Sequence, residues 1–104
     1  MIRIQRFSPY GLAVQGHAGA AKGGQDLVCA AVSALVLTLS ANVLALEQEK
    51  LLSFRRLTLK PGESYISCVP KAGVRPAVEL IFDTVLQGLS LLAHLYPKHI
   101  IIES

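Results

Sequence analysis

The chain has 104 residues, 52% of them hydrophobic and 16% charged, and a formal net charge of +3. That length suits one domain around a single core, and the apolar content excludes disorder. The lysines and arginines are scattered, with only Arg55 and Arg56 adjacent, so the charge implies weak attraction to ribonucleoprotein at most and no direct nucleic-acid partner is expected.

Met1 to Phe7 alternates like a strand, Ile2 and Ile4 against Arg3 and Gln5, and lacks the continuous apolar stretch of a signal peptide. Ser8-Pro9-Tyr10-Gly11 reads as a turn, and Leu12 to Gly16 returns as the second strand of a hairpin that ends at His17. Ala18 to Gln25 holds three glycines and no bulky apolar side chain, which predicts a mobile loop because glycine loses the most backbone entropy on ordering. Asp26 then occupies an N-cap position, placing Cys29 third in a helix that runs to about Leu46. Leu51 to Lys60 and Ser64 to Val69 flank Pro61-Gly62 as a second hairpin. Pro76 suits the first position of another helix. There Val78, Ile81, Phe82, Val85, Leu89 and Leu92 form an apolar stripe, with Glu79, Asp83 and Gln87 outside it. Leu95-Tyr96-Pro97 stops that helix, and His99 to Glu103 is a last short strand. The order β-β-α-β-β-α-β predicts an α+β domain over residues 1–104, a small and mostly antiparallel sheet packed with two helices.

Leu27 to Leu46 runs twenty residues without a charge, which meets the length of a membrane span. Ser33, Thr38, Ser40 and Asn42 within it, and the lack of a second span or a basic flank, argue instead for a central helix covered on two sides. No membrane partner is expected. Two cysteines, Cys29 and Cys68, make no disulfide framework, which places the chain in a reducing cytoplasm. His17, His94 and His99 form no zinc spacing with them, so neither a metal nor a cofactor is called for.

The chemistry concentrates between Gly16 and Ser33. His17 and Cys29 stand twelve residues apart on either side of the glycine-rich loop. A helix N-terminus and a nearby imidazole both lower a thiol pKa, and the thiolate is the reactive form. The plainer reading is a small buried thiol and a strand-end histidine with one structural hydrogen bond. Asp26 caps the helix or orients His17. Ser33, one helical turn beyond Cys29, bonds the thiol or the Cys29 carbonyl. Phosphate binding fails as a use of the loop: Ala21 stands where a P-loop needs glycine and Gly23 where it needs Ser or Thr. Cys68, in a strand, reads as buried packing.

Gly16-His17-Ala18, followed by Gly24-x-Asp26-Leu27-Val28-Cys29-Ala30-Ala31-Val32-Ser33, resembles the signature of the bacterial ribosomal-processing cysteine proteases, the Prp family. The length and element order fit over nearly the whole chain, while only residues 16–33 are specific. The resemblance implies a cytoplasmic homodimer with a Cys–His pair, here Cys29 and His17, and Asp26 and Ser33 in support. It implies a loop, including Gly19, Lys22, Gly23 and Gly24, that orders around substrate. The implied substrate is the N-terminal extension of a large-subunit ribosomal protein. Many members carry an aromatic residue just before the second motif glycine, where this chain has Gly23, which implies a looser loop or a different extension. The Cys29 backbone N–H is a candidate oxyanion donor. The reading is a cysteine endopeptidase; a catalytically idle ribosome-associated binding protein and a phage-encoded relative with another protein substrate are its alternatives.

Overall fold

The alternation at the N-terminus builds the middle of the sheet. In the computed structural model, which describes residues 1–17 and 24–103 and all their side chains except those of 24–26, β1 (Ile2–Ser8) buries Ile2 and Ile4 and exposes Arg3 and Gln5. It pairs antiparallel with β2 (Gly11–Gly16), Ile4 opposite Val14. The order continues through α1 (Gly24–Gln48), β3 (Leu52–Lys60), β4 (Glu63–Pro70), a 3₁₀ turn (Ala72–Val74), α2 (Arg75–Leu95) and β5 (Ile100–Glu103). The strands lie in the order β3-β4-β2-β1-β5, with three antiparallel pairings and one parallel pairing, β1 with β5. The expected mostly antiparallel α+β sheet with two helices is the architecture found.

This topology also explains why both helices share one face. β2 and β3 are parallel with β4 between them, and β4 and β5 are parallel with β2 and β1 between them. Parallel strands joined through a helix cross over in a right-handed sense. Since β2 and β4 run in opposite directions and their crossovers lead to opposite edges, the same handedness places α1 and α2 on the same side. One core results, joining Ile4, Leu12 and Ile66 of the sheet to Val28 and Leu39 of α1 and Phe82 of α2.

α1 buries Val28, Val32, Val36, Leu39 and Val43 at helical spacing. The Ser40 hydroxyl, inside the core, donates to the Val36 carbonyl at 2.9 Å, so its burial leaves no bond unmade. The sequence predicts cover on two sides of this helix; the chain covers one, and Leu27 and Leu37 remain 71% and 57% exposed. Nor is the uncharged stretch of α1 alone in its length. Ala72–Leu95 also passes the length and composition test for a span, which corrects the expectation of no second candidate. Both helices nevertheless set apolar stripes on the sheet, α2 through Val78, Phe82, Val85 and Leu89. Arg6 of β1 reaches Asp83 of α2 at 2.8 Å and ties the layers together at the rim.

Candidate active site

The end of β2 delivers a histidine to a cleft. Gly16, at φ +99°, turns the strand where a Cβ would collide with the Met1 carbonyl oxygen. Its N–H donates to the Gly62 carbonyl at 2.9 Å, and the Met1 amino group donates to the His17 carbonyl at 2.6 Å. The backbone is thereby pinned on both sides of the Gly16–His17 junction. Glycine is required at Gly16 because an L side chain rarely takes that φ.

The cleft, about 390 Å³, opens between α1 and the tip of the β3–β4 hairpin. His17, Cys29 and Ser33 all line it, Leu37 and Leu59 stand on its walls, and Ile2 and Val14 form part of the floor. Two side chains twelve residues apart in sequence thus face one volume, as do Cys29 and Ser33 from successive turns of α1. His94 and His99 do not line it. Cys29 is half-buried, packed against the edge of the core, and has one side on the cleft. Cys68 differs: it is 3% exposed within β4, and burial pushes its thiol up to about 11. A thiol in that state is a packing group, as its strand position predicts.

One local expectation is corrected. α1 begins at Gly24, so Asp26 lies within its first turn, beyond the N-cap position, and Cys29 is the sixth helical residue where the sequence predicts the third. Three extra residues, Gly24, Gln25 and Asp26, enter the helix, because the roughly 1 kcal/mol propensity cost of one glycine is small beside the hydrogen bonds of a continuing turn. Only the first four amides of a helix lack partners inside it. The Cys29 N–H therefore belongs to the i→i−4 ladder and is no longer a candidate oxyanion donor. The dipole's benefit to a thiolate also weakens beyond the first turn, which leaves more of any activation to the imidazole. The Asp26 side chain and the loop residues Gly19, Lys22 and Gly23 lie outside the described residues, while Gly24 opens the helix.

The sequence reading takes Pro61-Gly62 only as a turn, yet the hairpin tip forms a wall of the site. The wall follows from the register of β2 with β4, a long-range pairing that the sequence does not signal. Gln15 pairs with Glu63, so the next residues along β2, Gly16 and His17, must meet the turn that precedes Glu63.

Comparison with known proteins finds relatives over nearly the whole chain. The family model described as Cysteine protease Prp matches residues 1–101. The ribosomal processing cysteine proteases Prp of Mycoplasma pneumoniae and Mycoplasma genitalium are each 32% identical over 102 residues, covering 92% and 98% of this chain and 88% and 94% of theirs. The crystal structure of SMU.848 from Streptococcus mutans superposes with a TM-score of 0.67 at 26% identity, covering 98% of this chain and 90% of that one. Prp from S. aureus, solved in complex with a covalently linked product peptide, gives a TM-score of 0.70 at 22% identity, covering 98% and 95%, a likeness of fold. The class is that of a cysteine protease. The chain belongs to the Prp family.

Proposed function

We propose that this enzyme removes the N-terminal extension of a bacterial large-subunit ribosomal protein in the cytoplasm, with Cys29 as nucleophile and His17 as its proton partner. The observation that carries the reading is the single cleft lined by both residues, between α1 and the β3–β4 turn. Relatives named for ribosomal processing support the substrate class, and S. aureus Prp, of the same fold and in complex with a substrate peptide, supports a peptide as substrate.

The reaction follows from the two side chains. The Cys29 thiolate adds to the scissile carbonyl carbon. As the C–N bond breaks, imidazolium His17 gives its proton to the departing amine, and a thioester remains. Water then adds to the thioester carbonyl while His17 takes the water's proton. Breakage of the S–C bond releases the acid and restores thiolate and imidazolium. Ser33, on the next turn of α1 and on the same cleft, is assigned a supporting role. Asp26 is assigned another, as an anion in the first helical turn. The loop residues Gly19, Lys22, Gly23 and Gly24 are assigned to substrate contact.

A homodimer completes the reading. The outer side of α1, with Leu27, Ala34 and Ala41 exposed, is the kind of apolar surface that a second subunit covers. Light scattering should then give twice the chain mass of 11.2 kDa.

The deciding experiment incubates a peptide carrying the extension with wild type and with Cys29→Ala, and reads intact mass. Cleavage at one bond by wild type alone is the expected result. An uncut peptide, with Cys29 alkylated no faster than a free thiol, would replace the enzyme with an idle binding protein.

A further inference from the structure

The β3–β4 turn does more at the site than close a hairpin. Gly62 has φ +76°, and a Cβ built on it would stand 2.5 Å from Nε2 of His17, 2.8 Å from Cε1 and 3.4 Å from Cδ2. The ε edge of the imidazole is therefore laid directly over the bare face of the glycine. Any L side chain at this position takes space that the ring occupies.

The ring has little freedom to move with its backbone. The Gly16 N–H is held by the Gly62 carbonyl at 2.9 Å and the His17 carbonyl by the Met1 amino group at 2.6 Å. The hairpin tip thus fixes the backbone that carries the imidazole and also supports the ring itself. Were a Cβ present, relief would have to come from rotation of the imidazole about its side-chain torsions, which changes its aim in the cleft it shares with Cys29. A turn that needed only a positive φ would accept asparagine, which tolerates the left-handed region. The contact with His17 is a separate demand, and asparagine does not meet it.

We propose that Gly62 is a positioning residue for His17: it seats the imidazole by its ε edge in the orientation that serves Cys29, and it is glycine because the ring needs the space of its missing Cβ. The proposal rests on the Cys29–His17 reading given above.

The test compares wild type, Gly62→Asn and Gly62→Ala. Three quantities are read: the thermal midpoint, kcat and KM on the extension peptide, and the pH profile of Cys29 alkylation by iodoacetamide, mapped by mass. Gly62→Asn is expected to stay folded. It should lose about 10²-fold in kcat, the scale of an ångström misplacement of a reacting group, with KM changed less than about threefold. Its alkylation profile should move toward that of a free thiol with pKa of about 8.5. Gly62→Ala should show the same loss together with a lower melting temperature. A folded Gly62→Asn with wild-type kcat and an unchanged profile would overturn the proposal and leave the protease reading standing. A wild type that cleaves nothing and alkylates like a free thiol would end both. A measurement on wild type alone guards against a variant that fails to fold: a nuclear Overhauser contact between His17 Hε1 and the Gly62 α-protons is expected, and its absence removes the seat.

Discussion

The two cysteines sit in contrasting regions of one small core. Cys29 is on a helix at the rim, half-buried, with the cleft and His17's imidazole in the same volume. Cys68 is inside the sheet, 3% exposed, with burial as the cause of its raised pKa. The thiol is the same, and its surroundings differ in the two things that decide reactivity: access and the cost of holding a negative charge. A cysteine in this fold is therefore assigned its chemistry by its place at the rim or in the interior.

The sharpest way to break that contrast is to delete each thiol in turn. On the proposed reading, Cys29→Ala should lose at least about 10⁴-fold in peptide cleavage, the scale on which removal of a nucleophile acting as a unit with its base is felt. Cys68→Ala should cleave at close to the wild-type rate and lose about 1–2 kcal/mol of stability to the small cavity it leaves. Equal losses of cleavage in the two variants would mean that the rim and the interior are not distinct.

A smaller effect sharpens the interior side. The Cys68 thiol is raised from 9.0 to about 11 in the folded protein, so the native state retains this proton when the unfolded chain has released it. The stabilisation is complete below pH 9 and is lost as pH rises from about 9 to 11, a contribution on the order of 2 kcal/mol. Urea unfolding at pH 8 and pH 11 should show it as a decline that is correspondingly shallower in Cys68→Ala. Parallel declines in both proteins would place the loss on other groups.

The smallest effect concerns the tie between layers, away from the cleft. Asp83→Ala removes the 2.8 Å bond to Arg6, whose partner carboxylate is 53% exposed. Because water screens such a pair, the expected cost is about 0.5 kcal/mol in denaturant unfolding, with kcat unchanged. A large fall in kcat would show that the rim of α2 is coupled to the cleft.

Much of this was legible before any coordinates, for local reasons. Ile2 and Ile4 against Arg3 and Gln5, and the stripe from Val78 to Leu92, carry periods of two and 3.6 residues that do not depend on what lies across the core. Pro61-Gly62 marks a turn wherever it occurs between two strands. The start of α1 was less legible, since Gly24, Gln25 and Asp26 all join the helix, Gly24 against its low helix propensity, and shift Cys29 from its expected third position to sixth. Long-range pairing was not legible at all: the one parallel pair among the described residues, β1 with β5, joins residues nearly a hundred positions apart.

The sequence by itself determined the elements, the α+β class and the two residues, His17 and Cys29, whose chemistry suits a thiol protease. The elements and the class follow from short-range periodicity, and the protease reading of the two residues from the resemblance to the Prp signature over residues 16–33. Only the tertiary structure decided that the two line one cleft, that Cys68 is withdrawn into the sheet, and that Gly62 lies against the imidazole of His17. Each of these is a relation between segments brought together by strand register and burial of a common core, and a residue's neighbours in space are not written in its neighbours along the chain.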